Sequence, residues 1–380
     1  MTTTLRVIVD DIVSPSPGGV GRYAEELTRE LIHTAPAGCE VSGVVASSPD
    51  ADYERIQTVL PGLSDLFKSA LARRELQLAW QHGVTKLPGS GMVHAPSLLA
   101  PLARHVRGAR HGEQTVVTIH DAVAWTHPHL ISPRQASWQK AMARRAVRFA
   151  DAVVVPTHAV AHELGERLDF GDRIRVIGGA VGSKLTVPVD ADERAARLDL
   201  PKRYILNAGT VDGRKGIEPL IRSLASEYDA GLPLIVAGPD GWDAPDLVAI
   251  AVDAGVDPER VRRLGAISDA DLAVLFDRAT VFAFPSLAEG FGLPMIEAFH
   301  FGTPVVHSDA PAVLEVAADA GLVVEIADED GYPERLARAI TSVARNETLA
   351  ERLRFSGLDR AAAFSWRDSA SRVWQLHADL

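Results

Sequence analysis

The chain has 380 residues, 47% hydrophobic and 23% charged, with one cysteine and a formal net charge of −11. That composition excludes extensive disorder, and the lone Cys39 excludes an intrachain disulfide framework or a cysteine zinc site. The charge is uneven, net +2 over residues 1–185 and net −13 over 186–380; either only the first half tolerates an anionic surface or the difference is drift in solvated faces, and no nucleic-acid partner is expected.

The opening residues MTTTLRVIVDD lack the pattern of a secretory signal. No apolar stretch reaches the length of a membrane span. The longest candidate, residues 87–103, is broken by Pro88, Gly89, His94, Pro96 and Pro101. A cytoplasmic protein in a reducing compartment is expected.

Short Val- and Ile-rich runs recur along the chain at 5–10, 41–47, 115–121, 152–157 and 173–178, then at 204–210, 233–239, 260–266, 280–286, 303–309 and 321–326. Their continuous hydrophobicity predicts strands buried on both faces. Helical periods lie between them, as at 22–33, 134–149, 217–228, 268–278 and 332–345. Alternation of strand and helix twice over predicts two doubly wound α/β domains. The pattern breaks near residues 180–200, in GGAVGSKLTVPVDADE. At the end, FSWRDSASRVWQLHADL predicts a Ser-capped amphipathic helix whose Trp366 and Trp374 pack.

Four strings carry candidate chemistry. In SPSPGGVGRYAEEL (14–27) a glycine-rich turn holding Gly18, Gly19 and Gly21 leads into a helix expected to open near Gly21. Such a start can face a phosphate, or it is a plain loop. Gly19, Gly21 and Ala24 also satisfy the dinucleotide pattern, although residues 10–17 separate them from the strand. In TIHDAVAWTHP (118–128), His120 and Asp121 follow a strand at the sheet edge where α/β proteins place ligands. His120 there hydrogen-bonds a sugar hydroxyl or developing charge, or merely caps a loop.

In LNAGTVDGRKGIEPLI (206–221), Arg214 and Lys215 sit side by side at a helix start. Cations are unfavourable there, so the pair reads as a seat for a diphosphate or as a solvated basic pair. The most specific string is FAFPSLAEGFGLPMIEAFHFGTPVV (282–306). Glu289 precedes Gly290, Phe291, Gly292 and Leu293, whose amides with the positive helix end can hold a phosphate or sugar hydroxyls. Glu297 follows eight residues after Glu289, where a carboxylate can accept both hydroxyls of a ribose or simply favour the helix dipole.

Two basic stripes bear on membranes. Leu63, Leu66, Phe67, Ala70 and Leu71 fall at helical spacing beside Lys68, Arg73 and Arg74, and Lys140, Arg144, Arg145 and Arg148 form the second. They read either as a peripheral contact at the inner face of the membrane or as ordinary helices with solvated faces.

With these strings in order, the chain resembles the retaining glycosyltransferases of family 4, whose signature Glu-x7-Glu is matched by EGFGLPMIE. The likeness runs from GGVGRY through VVVPTHAVAHEL (153–164), the RKG turn, VAGP (236–239) and residues 267–309 to FSW. Its flavour is that of bacterial mannosyltransferases of surface polysaccharide synthesis. The resemblance implies the GT-B fold, two Rossmann-like domains facing across a cleft. Residues 1–185 would form the acceptor side, with the helix 365–380 packing back on it, and residues 186–364 the nucleotide-sugar domain.

It implies further that Arg214 and Lys215 hold the donor diphosphate, that Glu289 contacts the transferred sugar beside the amides of Phe291, Gly292 and Leu293, and that Glu297 binds the ribose. His120 would sit against the sugar, and Gly18, Gly19 and Gly21 near phosphate or acceptor. The expected partners are a nucleotide-sugar donor, GDP-mannose first, and a saccharide or polyprenyl-linked acceptor. No metal or other cofactor is expected, since cations and helix-start amides can stabilise the leaving diphosphate. The chain departs from the common family pattern in the adjacency of Arg214 and Lys215 and in VIGGAVGSK (176–184), which lacks the usual Pro-Asn. A nucleotide-sugar epimerase or hydrolase, a nicotinamide oxidoreductase and a non-catalytic sugar-nucleotide-binding protein are the competing readings.

Overall fold

The computed structural model describes residues 2–15, 17–89, 91–105 and 113–380. Ser16 of the first glycine-rich string lies outside them. The chain divides into two units, Met1–Gly179 with Ser365–Leu380, and Ala180–Phe364. The boundary falls before Ala180 because Leu185, 3% exposed, and Val181 pack into the core of the second unit.

Among the described residues the first unit is built on seven strands, β1 (Thr3–Ile8), β2 (Cys39–Ser47), β3 (Leu66–Ala72), β4 (Met92–Ala95), β5 (Gln114–Thr118), β6 (Ala152–Val155) and β7 (Ile174–Val176). They pair in parallel in the order β3-β2-β1-β4-β5-β6-β7. The second unit has β8 (Ile205–Ala208), β9 (Leu234–Ala237), β10 (Val261–Gly265), β11 (Val281–Phe284), β12 (Val305–Ser308) and β13 (Leu322–Val324). Their parallel order is β10-β9-β8-β11-β12-β13. The inner strands are dry: Val153, Val154 and Val155 are fully buried, as are Leu206, Val281 and Phe282. Each such side chain contributes about 1.5–3 kcal/mol.

Both sheets reverse their winding beside their first strand. β1 lies next to β4, with Val7 opposite His94, and β8 next to β11, with Leu206 opposite Phe282. Such a switch point leaves a crevice outside the carboxyl ends of the two strands. The loops leaving Ile8 and Ala95 therefore start side by side in one unit, and those leaving Ala208 and Phe284 in the other.

Two strands were not expected. β4 is short and carries His94 among Gly- and Pro-rich flanks. Residues 66–72 form the edge strand β3 and not an amphipathic helix; the helix begins only at Arg73 (Arg73–His82). Pairing of Leu66, Phe67 and Lys68 with Gly43, Val44 and Val45 of the buried β2 overrides the local period. Arg73 turns inward to Asp10 and Asp11, so the first basic stripe does not exist as a helical face. On the helix Pro133–Phe149, Arg145 donates to the Leu102 carbonyl and lies over the Phe149 ring at 5.0 Å, leaving Arg144 and Arg148 exposed. Among the described residues no helix is long and apolar enough to cross a membrane.

The first glycine-rich string is helical from Gly18 to His33, so Gly18, Gly19 and Gly21 form its first turns and not a loop. The helix expected over 217–228 ends at Ser223, where the Ser223 hydroxyl donates to the Leu220 carbonyl at 2.6 Å. The last helix, Trp366–Asp379, starts on Ser365, whose hydroxyl accepts the Asp368 amide at 3.4 Å. It packs within the first unit through Trp366 and Trp374, 6% and 7% exposed.

Candidate active site

In the second unit the loop after β8 turns through a 3-10 turn, Gly213–Lys215, into the helix Ile217–Ser223. Gly216 joins them with φ +64°, and a Cβ there would overlap the Pro285 carbonyl at the end of β11. Only glycine permits that approach. The Leu287 amide donates to the Arg214 carbonyl at 2.8 Å, and the Tyr332 hydroxyl donates to the Pro285 carbonyl at 3.2 Å. The two switch-point loops are thereby sewn together by their backbones.

On this frame Lys215 Nζ donates to Glu289 Oε1, and an Arg214 guanidinium nitrogen lies 3.8 Å from Glu289 Oε2. Burial works against the Glu289 carboxylate, but the Lys215 and Arg214 charges outweigh it and hold the carboxyl below its usual value. The site thus presents an ionised acid between two cations.

Gly292, at φ +91°, caps the helix Leu293–His300, with Pro294 in its first turn. The amides of that turn have no partner within the helix, and its end is positive. Phe291 meets Phe364 edge-on at 5.5 Å, which fixes the turn below Glu289. Glu297 lies further along the same helix and is 1% exposed. The structure therefore brings Arg214, Lys215, Glu289, Gly290, Phe291, Gly292, Leu293 and Glu297 onto two adjacent loops and one helix.

In the first unit, β1 runs into a 3-10 turn, Asp10–Val13. Asp11 accepts the Ser97 hydroxyl at 2.6 Å and an Arg73 nitrogen at 2.6 Å, while Asp10 pairs with Arg73 and accepts the Ala46 amide at 2.9 Å. Gly21 packs on this turn so closely that a Cβ would lie 2.8 Å from the Asp11 carbonyl oxygen. The smallness of Gly21 thus serves helix packing.

His120 stands beside this turn. Its Nε2 is 2.7 Å from the Pro96 carbonyl oxygen, and the Tyr23 ring meets it edge-on at 4.8 Å. Burial pushes its pKa down, so the ring is neutral. A carbonyl can only accept, so Nε2 carries the hydrogen and Nδ1 is left as an acceptor. Asp121 accepts the Val123 amide at 3.0 Å, a helix-start role for the helix Val123–Thr126.

From the sequence, Asp10, Asp11 and Ser97 carry no site assignment, and Arg73 reads only as part of a basic stripe. Two successive acids at the end of a buried strand were the available signal. His127 and His129 have ring centroids 6.1 Å apart, and no group of three metal-ligating side chains placed to hold an ion occurs among the described residues.

Residues 17–182 match the family model described as Glycosyltransferase Family 4, and residues 189–358 that of Glycosyl transferases group 1. The chain belongs to the family 4 glycosyltransferases. It is 29% identical to the O-antigen chain mannosyltransferase B of Escherichia coli, over 93% of this chain and 94% of that one. It is also 29% identical to the serotype-specific mannosyltransferase WbdA of Escherichia coli, over 58% of this chain but only 28% of WbdA. Among solved structures, sucrose-phosphate synthase from Thermosynechococcus elongatus superposes with a TM-score of 0.74 at 21% identity, over 100% of this chain and 99% of that one. HepE of Anabaena, solved in complex with UDP and glucose, gives 0.74 at 17% identity over 100% of both chains. These likenesses give the family 4 enzyme the GT-B fold. It is a hexose-transferring enzyme.

Proposed function

We propose that this glycosyltransferase moves mannose from GDP-mannose to a saccharide or lipid-linked saccharide in cell-surface glycan synthesis, with retention at the anomeric carbon and without a metal. The observation that carries the reading is the convergence of Lys215 and Arg214 on Glu289 at the switch point of the second sheet. Two cations beside a helix-start amide cluster suit a leaving diphosphate, and an ionised acid between them suits sugar hydroxyls. Glu297, on the same helix, is assigned to the ribose. His120, through its bare Nδ1, is assigned to a sugar hydroxyl. Mannose is favoured by the likeness to the mannosyltransferase B, and UDP-sugars come next. Any contact of the first unit with an anionic membrane would rest on Arg144 and Arg148.

A thermal-shift panel with GDP, UDP, dTDP, ADP and NADH on the wild type and on Glu297→Ala tests the reading. A ligand at a hundredfold excess over Kd adds about 2.7 kcal/mol. One nucleoside diphosphate raising Tm, less so in the variant, supports it, whereas a response to NADH alone overturns it.

A further inference from the structure

Asp212 stands immediately before the Gly213–Lys215 turn and has no task in the reading above. Its Oδ1 is buried and has no hydrogen-bond partner among the described residues. Three elements surround it. Arg214 and Lys215 bear on it from its own turn and Glu289 from the loop after β11. The segment after β9 packs on it through Gly241, whose amide donates to the Val211 carbonyl at 2.9 Å and where a Cβ would lie 2.8 Å from the Asp212 Cβ. Asp240 in that segment is tied to Arg263.

The formal charges of Asp212, Glu289, Arg214 and Lys215 cancel. A nucleotide-sugar diphosphate brings two negative charges into this balanced cluster. Burial pushes the Asp212 carboxyl up and the Glu289 charge adds to it, while the Arg214 and Lys215 charges, and behind them the Arg214 backbone amide, oppose it. A diphosphate that engages those cations weakens the larger part of that opposition and adds like charge.

We propose that Asp212 takes up one proton from solvent when a nucleotide-diphosphate sugar binds the second unit, and that its Oδ1–H then donates to a diphosphate oxygen. The inference rests on the donor-site reading given above. No covalent bond to carbon changes in this step: the proton comes from bulk water, resides on the carboxyl, and returns to bulk when the nucleotide leaves. Asp212 becomes a further donor-binding residue, and the cluster it belongs to carries a net positive charge only while the ligand is present.

The test is isothermal titration of the full chain with GDP-mannose, and in parallel with UDP-glucose, in Hepes and in Tris near pH 7. The sugar-linked diphosphate has no group titrating near that pH, so the buffer dependence of the heat counts protons taken up by the protein. The wild type is expected to take up close to one proton per site and to bind up to tenfold tighter for each pH unit lowered. Asp212→Asn carries a permanent donor in the same shape, so it should bind with no uptake and a flat pH dependence. Asp212→Ala should lose the pH dependence and bind more weakly than Asp212→Asn. Binding by the wild type without uptake, or unchanged uptake in Asp212→Asn, overturns this proposal alone. Failure of the folded wild type to bind either sugar nucleotide overturns the donor-site reading and this proposal with it.

Discussion

The indole nitrogen of Trp374 donates to the backbone carbonyl of Leu31 at 3.1 Å, across 343 residues of sequence. The bond satisfies both a buried indole and one of the last carbonyls of the helix Gly18–His33. Tyr23 of that helix meets Trp366 edge-on at 5.3 Å and His120 at 4.8 Å. The last helix thus abuts the ring that fixes a candidate catalytic histidine.

Trp374→Ala should destabilise the first unit by about 3–5 kcal/mol, the usual cost of truncating a buried large aromatic. Trp374→Phe keeps most of the volume and loses the hydrogen bond, about 1 kcal/mol. Urea unfolding followed by fluorescence of the remaining tryptophans measures both. Equal losses for the two variants would show that the bond, not the packing, matters.

Acid should loosen the same helix. His377 on it faces His94 of β4 with ring centroids 5.7 Å apart, and His377 Nδ1 lies 3.4 Å from Gln114 Oε1. Burial pushes His377 down to about 4 and His94 down as well. In the unfolded chain each titrates near 6.5. Between pH 6.5 and 4 the unfolded state binds more protons, so stability rises with pH and is lost as pH falls through that window. His377 alone should cost about 2 kcal/mol between pH 7.5 and 5. The gap between the urea midpoints at the two pH values should narrow in His377→Leu, with His94 left to supply the rest; an undiminished gap in that variant would exclude His377 as a source.

Lys215→Ala should lower kcat/KM for sugar transfer by about 10²–10³, the range seen on removing one preorganised charge-stabilising donor. With Lys215 gone, the strongest charge opposing burial at Glu289 is lost, so its pKa should rise. The acid limb of the pH–rate profile then moves to higher pH. Lys215→Arg should restore the limb before it restores the rate, because the charge returns in a different shape.

Gly216→Ala tests the backbone seam. Left-handed φ costs a non-glycine residue about 1–2 kcal/mol, and the Pro285 carbonyl must also move. Gly231→Ala is the control, with φ +75° and nothing within 4 Å of the added carbon. Both should lower Tm, but only Gly216→Ala should weaken the thermal shift with a nucleoside diphosphate, since only it displaces Arg214 and Lys215 from Glu289.

The inner strands were legible because burial on both faces writes continuous Val and Ile into the sequence, as in residues 152–155. β3 was not, because an edge strand needs only one apolar face: Phe67 is 37% exposed and Lys68 lies over the Tyr53 ring at 4.1 Å, so Leu66 and Leu71 imitate a helical stripe. The donor loops were legible through charge and glycine, Arg214-Lys215 and Glu289-Gly290. The setting of His120 was not. Its ring is fixed by the Pro96 carbonyl, a group every residue carries, and the Asp11–Ser97 bond spans 86 residues.

The first unit is discontinuous, closed by Ser365–Leu380 after the whole of Ala180–Phe364. On a ribosome adding about 5–20 residues per second, residues 180–364 take roughly 10–40 s to emerge. Through that interval the seven-stranded sheet stands without its last helix, and the surfaces around Tyr23, Leu31 and His94 face solvent. The second unit, being continuous, can finish while the first waits. Newly made chains should therefore engage chaperones through their amino-terminal half until residues 365–380 emerge to complete it.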